Sequence, residues 1–278
     1  MSGKIATANL GRASSTPLLA RLNVSKFYRA HKNGLMTLAS ILGGFAIWEI
    51  AARWIVRDKL FLVAPSGMVV RLIELCQTGE IQQHTLTSGT EFVVGFALAA
   101  VAGIAGGLAL GVSPLARTLA TPWVSAFNST PTVALSPLLI LWFGIGLWSK
   151  VVVVFIVSVF SVLVNTQAGI EGADERLVET ARAFGARRSQ IFVKVLLPSA
   201  VPFIVAGLRL GVGRALVGVV VAELFGATSG LGFLITTASQ VFDMGALFAA
   251  VTILAAAGVA STELIRLVEK RLAPWRER

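Results

Sequence analysis

Long apolar segments alternate with short polar ones along this chain, and they are the first guide to its fold. A helix of about 20 apolar residues crosses the roughly 30 Å hydrocarbon core of a bilayer. Six segments meet this requirement: residues 35–56, 89–112, 119–143, 151–167, 199–222 and 245–265. The pattern predicts an all-α integral membrane protein with six transmembrane helices, forming one membrane domain over residues 35–265.

One polar connection, residues 171–202, carries many charges of both signs and still keeps a helical pattern. Asp174 is a suitable N-cap for a helix. Leu177, Ala181 and Phe184 follow at the spacing that places apolar residues on one helix face. The first part of this connection is therefore predicted to be an amphipathic helix that lies in water between two spans.

A second short helix is predicted in the same connection. Gly185 stands where a helix commonly ends in the left-handed conformation that glycine favours. Ser189 is a suitable N-cap for the next helix, which presents Ile191 before Pro198 and Pro202 interrupt it. A charged helix pair between two spans needs a surface to dock against.

Two other connections contain apolar residues but are not predicted to be spans. Residues 65–76 form a predicted helix that begins at Pro65, ends before Gly79 and is too short to cross a bilayer, so we place it flat on the outer surface. Residues 224–244 contain glycines such as Gly230 among apolar residues, a composition typical of a re-entrant or periplasmic gate loop.

Small residues recur in the second predicted span at Gly103, Gly107 and Gly111. A glycine every fourth residue allows another helix to approach closely. This face is expected to pack either within the bundle or at a homodimer interface.

The third predicted span is interrupted by prolines, and polar residues precede the central one. Asn128, Ser129 and Thr130 lie directly before Pro131. Polar side chains and broken helix at membrane depth are tolerated when they are buried in protein or line a cavity. Two interpretations follow, a translocation path and simple hydrogen bonding between helices.

The fifth predicted span carries two arginines and ends at a carboxylate. Arg209 and Arg214 are costly if they face lipid. They either form structural salt bridges, the interpretation we favour, or line a path for an anionic substrate. Glu223, at the outer end of this span, is either a gate residue or an ion-pair partner.

Composition supports a membrane protein and charge predicts its orientation. Of 278 residues 55% are hydrophobic and 14% charged, with a net charge of +10, a balance that excludes a soluble globular domain. Seventeen Lys and Arg residues fall in predicted cytoplasmic segments and four in outer ones. The positive-inside rule then places both termini and residues 171–197 in the cytoplasm. No basic segment alternates with stacking aromatics, so nucleic-acid binding is not expected.

The N-terminal arm, residues 1–34, contains six basic residues and no acid. It is predicted to be cytoplasmic, with a helix near residues 17–30 lying on the lipid surface. Its composition also resembles that of an organellar transit peptide. A basic cytoplasmic tail is predicted at residues 266–278.

The sequence contains no recognisable motif for catalysis, metal binding or phosphate binding. No GxxxxGK[ST] phosphate loop is present, so ATP is not bound here by that motif. The sequence has one cysteine and two distant histidines, His31 and His84, and no metal or cofactor site is expected on this chain. Catalysis by this subunit is therefore not expected.

A set of residues in the polar connection resembles a known motif, the EAA loop of ABC importer permease subunits. The matching residues are Glu179, Thr180, Ala181, Gly185, Val195, Leu197 and Pro198. Thr180 replaces the common alanine and Val195 the common isoleucine. Residues 143–146 (FGIG), 207–210 (GLRL) and 230–232 (GLG) extend the resemblance to the branch that transports nitrate, sulfonates, taurine and bicarbonate.

The resemblance implies a type I ABC importer permease bundle with a cytoplasmic coupling helix pair, located in the bacterial inner membrane. Its partners would be ABC ATPase subunits carrying ATP and Mg, a second permease subunit, a periplasmic or lipoprotein substrate-binding protein and membrane lipid. The substrate would be a small anionic solute, or alternatively an aromatic acid or pyrimidine-like solute. A self-contained secondary transporter and a simple membrane anchor are the rival classes; the former requires carboxylates near the bilayer midplane or an inverted repeat.

Overall fold

The computed structural model describes residue 34 and residues 36–56 and 61–272, and all regular secondary structure in them is helical. The N-terminal arm, apart from residue 34, and the end of the basic tail lie outside the described residues. The helices are α1 Met36–Ile55, α2 Pro65–Thr78, α3 Glu80–Val112, α4 Pro114–Ser129, α5 Ser136–Phe143, α6 Leu147–Glu171, α7 Glu175–Ala183, α8 Arg188–Ile191, α9 Leu197–Gly226, α10 Leu231–Gln240 and α11 Met244–Leu272.

The number of spans agrees with the sequence pattern. Five helical stretches are long and apolar enough to cross a bilayer, namely α1, α3, α6, α11 and the stretch Arg188–Gly226 that contains α8 and α9. The third predicted span is broken, because Pro114–Ser129 and Thr132–Phe143 meet at an angle of 82° and make a sixth span only when counted together. The all-α membrane fold is confirmed, and most helices extend beyond the predicted apolar segments.

The centre of the bundle is formed by α3, α6 and α9. The predicted glycine stripe of α3 faces α6, where the Cβ position of Gly103 lies 2.7 Å from Val162 Cβ and that of Gly111 lies 2.5 Å from Ile170 Cβ. Parallel helices can approach this closely because glycine has no side chain. The stripe therefore packs within the bundle.

A separate apolar cluster lies at the end of the bundle where α3 and α11 begin. We call this end of the bundle the α10 end. Its buried residues come from four helices: Leu75 of α2, Ile81 of α3, Leu231, Leu234 and Ala238 of α10, and Ala246 and Ala250 of α11. Arg71 of α2 forms an ion pair with Asp243 at 2.9 Å. The opposite end of the bundle, where α3 and α6 finish, is the α7 end.

Replacing Gly107 with alanine is expected to lower the stability of the folded protein by about 1–3 kcal/mol, the usual cost of overpacking. The added Cβ would lie 2.5 Å from Thr166 Cβ and 2.6 Å from the Leu163 carbonyl oxygen. Gly89→Ala is the matched control in the same helix, because nothing lies within 4 Å of that Cβ position. Thermal unfolding in detergent measures both variants, and equal midpoints would contradict the close packing.

Candidate coupling segment and translocation cavity

Helix α7 is an exposed amphipathic helix at the α7 end. Asp174 caps it, since its carboxylate accepts a 2.9 Å hydrogen bond from the Arg176 N–H. None of its residues is buried. Leu177 is 55% exposed and the adjoining Phe184 is 87% exposed. The predicted apolar face is thus uncovered by the described part of the chain.

Gly185 ends this helix with a defined turn. Its φ of +75° lies in the left-handed region, where a side chain would be strained. The Gly185 N–H donates to the Arg182 carbonyl at 2.9 Å, and the Ala186 N–H donates to the Ala181 carbonyl at 3.0 Å. These two bonds form a Schellman motif, which fixes the direction in which the chain leaves α7.

The second helix differs from the prediction in two ways. Its N-cap is Arg187, whose N–H donates to Gln190 Oε1 at 2.7 Å, so the predicted cap at Ser189 is wrong. The prolines also fail to interrupt it, because a π-helical turn, Phe192–Leu196, precedes Pro198 and the helix continues through Pro202. A π turn shifts the hydrogen-bond pattern just before Pro198, which has no N–H to continue it. Residues Arg188–Gly226 therefore form one helical stretch of 39 residues.

The residues of the EAA-like motif are distributed over this segment. Glu179, Thr180 and Ala181 lie on α7, with Gly185 in the turn that follows. Val195 lies in the π turn, and Leu197 and Pro198 are the first residues of α9.

An unpredicted ion pair connects this segment with the broken span. Arg117 near the start of α4 pairs with Glu171, the last residue of α6, at 2.9 Å. Arg117 also donates to the Gly111 carbonyl at the end of α3, at 2.8 Å. A cation at this position neutralises the negative end of the α3 dipole and joins three helix ends next to α7.

A cavity of about 330 Å³ lies at the break between α4 and α5. It is lined by Phe127, Asn128, Thr130, Pro131, Thr132, Val133, Val157, Phe160, Gly213, Arg214 and Val217. The Arg214 guanidinium donates to Asn128 Oδ1 at 3.1 Å. The structure therefore brings together Asn128, Thr130 and Arg214, whereas Ser129, Arg209 and Glu223 do not line this cavity.

The two arginines of α9 have different partners. Arg209 pairs with Glu269 of α11, in the salt bridge that the sequence analysis considered for it. Arg214 bonds to a neutral amide and has no carboxylate partner among the ion pairs of the described residues.

Glu223 is buried at the α10 end, with 1% of its surface exposed. It accepts hydrogen bonds from Ser88 Oγ at 2.6 Å and from the Gly232 N–H. The ion-pair partner considered for Glu223 is not found among the described residues.

A second buried carboxylate was not predicted from the sequence. Glu91 of α3, 1% exposed, forms an ion pair with Lys150 of α6 at 2.7 Å. Lys150 is one of the four basic residues predicted to lie in outer segments, in a turn over residues 144–150. The structure places it instead in the first turn of α6, where its side chain enters the bundle and neutralises Glu91. The lone acid inside the apolar α3 segment was the signal that could have revealed this pair.

Comparison with known proteins identifies several similar permeases. A putative aliphatic sulfonates transport permease protein of Bacillus subtilis is 35% identical over 243 residues, covering 87% of each chain. The taurine transport system permease protein of Escherichia coli is 30% identical, covering 86% of this chain and 88% of its own length. A formylaminopyrimidine transport permease protein of Halalkalibacterium halodurans is 33% identical, covering 84% and 92%.

Solved structures of ABC transporters share this fold. The inward facing MetNI methionine ABC transporter matches with a TM-score of 0.59 and 20% identity, over 69% of this chain and 95% of that chain. The family model for the binding-protein-dependent transport system inner membrane component matches residues 92–274. Together with the curated relatives, this match shows that the chain belongs to the family of binding-protein-dependent transport system inner membrane components.

Proposed function

We propose that this chain is the membrane-spanning subunit of an ATP-driven importer for a small anionic solute of the sulfonate, taurine, nitrate or bicarbonate type. The single observation that supports an anion is Arg214, which lines the cavity at the broken span and has no carboxylate partner in the part of the chain that the structure describes. As a family member the chain is a transport subunit and not an enzyme, and ATP is hydrolysed on a separate subunit.

The α7 end is proposed to face the cytoplasm of the cell and to dock ABC ATPase subunits that carry ATP and Mg. The uncovered apolar side chains of Leu177 and Phe184 offer such a partner a hydrophobic contact. The Gly185 turn joins them to the continuous helix Arg188–Gly226. A rigid connection of this kind transmits displacement, whereas a flexible loop would absorb it. Both termini would then be cytoplasmic, in the bacterial inner membrane.

The remaining partners are a second permease subunit and an extracytoplasmic substrate-binding protein. A paired permease would enclose the path between two copies of the cavity, and the binding protein would deliver solute at the α10 end. ATP binding and hydrolysis would move the paired bundles between outward and inward openings by alternating access.

A second candidate substrate is an aromatic acid or a pyrimidine-like solute. Phe127 and Phe160 of the cavity lining stack with ring centroids 5.7 Å apart and an interplanar angle of 11°. Aromatic side chains in a cavity lining would suit a planar ring, with Arg214 holding the carboxylate of an aromatic acid. The relative named for formylaminopyrimidine transport adds support for this candidate.

The rival secondary transporter would use a membrane-embedded carboxylate for ion coupling. Glu91 and Glu223 are such carboxylates, but Glu91 is paired with Lys150, and Glu223 accepts hydrogen bonds from Ser88 and Gly232. These bonds within the fold favour a structural role for both. Co-purification distinguishes the two classes, because an importer retains an ATPase subunit in detergent and its uptake requires ATP. Uptake by this chain alone in liposomes would support the secondary transporter.

The variant Gly185→Arg is expected to insert normally and to lose most ATP-driven uptake, because a side chain at φ +75° distorts the turn between α7 and α8. Gly79→Arg is the matched control, since Gly79 has a φ of +80°, the same open surroundings and a position at the α10 end. Uptake and ATP hydrolysis in proteoliposomes measure the effect. Normal uptake by Gly185→Arg would contradict the coupling role.

The variant Arg214→Gln is expected to reduce uptake of an anionic substrate about tenfold or more, since one charge-assisted contact is lost. Arg209→Gln serves as the control, because Arg209 is held by Glu269 away from the cavity. Competition by sulfonates, taurine, nitrate, bicarbonate and aromatic acids is measured for both variants. An unchanged competition profile in Arg214→Gln would remove Arg214 from the path.

A further inference from the structure

The first turn of α10 is held by three side chains from other helices. The Gly230 N–H donates to His84 Nδ1 at 2.9 Å, the Leu231 N–H donates to Ser88 Oγ at 2.7 Å, and the Gly232 N–H donates to Glu223 Oε2. We call His84, Ser88 and Glu223, with these three backbone groups, the α10 anchor. The three N–H groups have no partner within α10, because a helix leaves its first donors free.

The anchor also joins α3 to α9 directly. Ser88 of α3 donates to Glu223 Oε1 of α9 at 2.6 Å while it accepts from Leu231. All three anchor residues are buried, at 7% exposure or less. Hydrogen bonds to a buried carboxylate are strong, and breaking them would leave unpaired polar groups in a dry site.

The two glycines of the anchor lie too close to α9 for a side chain. Gly230 has a φ of +126°, and a Cβ at this position would overlap the Glu223 carboxylate. A Cβ at Gly232 would lie 2.8 Å from the Val220 carbonyl oxygen. The GLG sequence thus allows α10 to sit directly on α9.

The location of Glu223 separates the anchor from the cavity. Glu223 and Arg214 are nine residues apart on α9, which is about two and a half helical turns, so they point to opposite faces. Arg214 faces the cavity, and Glu223 faces α3 and α10. This arrangement does not suit a residue that contacts solute.

We propose that Ser88 and Glu223 are positioning residues for transport, which join α3, α9 and α10 into one rigid body. Displacement of α8 at the α7 end would then travel along Arg188–Gly226 and move α10 at the other end. The anchor stays closed throughout the cycle. This inference rests on the proposed ATP-driven import, because it assigns the means by which coupling reaches the far end of the bundle.

The first test asks whether the anchor opens. Thr87 Oγ1 and Ser229 Oγ are 3.3 Å apart, which places one side chain of α3 opposite one in the α9–α10 loop. Thr87→Cys and Ser229→Cys are combined with Cys76→Ser, so that oxidation links only this pair. The oxidised complex is expected to keep its ATP-driven uptake. Arrest of uptake that a reductant reverses, and that neither single cysteine variant shows, would overturn the proposal.

The second test asks whether the anchor links ATP hydrolysis to uptake. Ser88→Ala and Glu223→Gln each remove a strong hydrogen bond of the anchor. Each variant is expected to lower the amount of solute taken up per ATP hydrolysed about tenfold, the fold-change that corresponds to the loss of one such bond. Oxidation of the Thr87→Cys and Ser229→Cys pair, added to Glu223→Gln, is expected to restore that ratio. If the two residues had a purely structural role, the variants would reduce the amount of folded complex and leave the ratio of uptake to ATP hydrolysis unchanged. Failure of the disulfide to restore this ratio in Glu223→Gln would also contradict the role proposed for the anchor.

Two controls distinguish a failure of the anchor proposal from a failure of the proposed ATP-driven import. The parent complex must first show ATP-dependent uptake, and its failure would contradict ATP-driven import and not the anchor. Thr90→Ala is the matched surface variant of α3, because its hydroxyl donates only to the Leu86 carbonyl within its own helix. It is expected to keep the parent ratio of uptake to ATP hydrolysis.

Discussion

The close approach of α3 and α6 is the contact on which the rest of the bundle depends. In a bilayer, lipid is as apolar as leucine, so helices associate through van der Waals contact and polar bonds more than through hydrophobic burial. The glycines of α3 provide that contact against Val162, Thr166 and Ile170. Gly207 and Gly211 of α9 pack near the same part of α6, with Cβ positions 2.9 Å from Asn165 Cβ and 3.2 Å from Val162 Cγ2. These close contacts make the three helices the packed centre of the bundle.

The charged groups of the long apolar helices differ in their partners. Glu91 with Lys150 and Arg209 with Glu269 form pairs that neutralise each other, which limits the cost of placing charge at membrane depth. Among the described residues, Arg214 has no carboxylate partner and donates to the amide of Asn128. It lies at the cavity where α4 and α5 part, which is why we propose it as the contact for an anionic solute.

The two ends of the bundle are connected by a single helical stretch. At the α7 end the exposed α7 and the Gly185 turn lead into Arg188–Gly226, and at the α10 end that stretch is joined to α3 and α10 by buried hydrogen bonds. Proline would normally break such a helix, but the π turn before Pro198 preserves it. This continuity gives a physical basis for communication between a docking surface and the opposite end.

The sequence by itself determined the class of fold and the position of the exposed helix α7. Apolar length predicted the spans, and the Asp174 cap and Gly185 stop predicted α7, because these signals are local and depend on few residues. Only the tertiary structure decided the partners of the polar residues. Lys150 reaches Glu91 across 59 positions, and Ser88 reaches Glu223 across 135, so no local pattern could pair them. Which arginine faces a cavity and which meets a carboxylate depends on the rotation and packing of whole helices, and that is settled only when the bundle assembles.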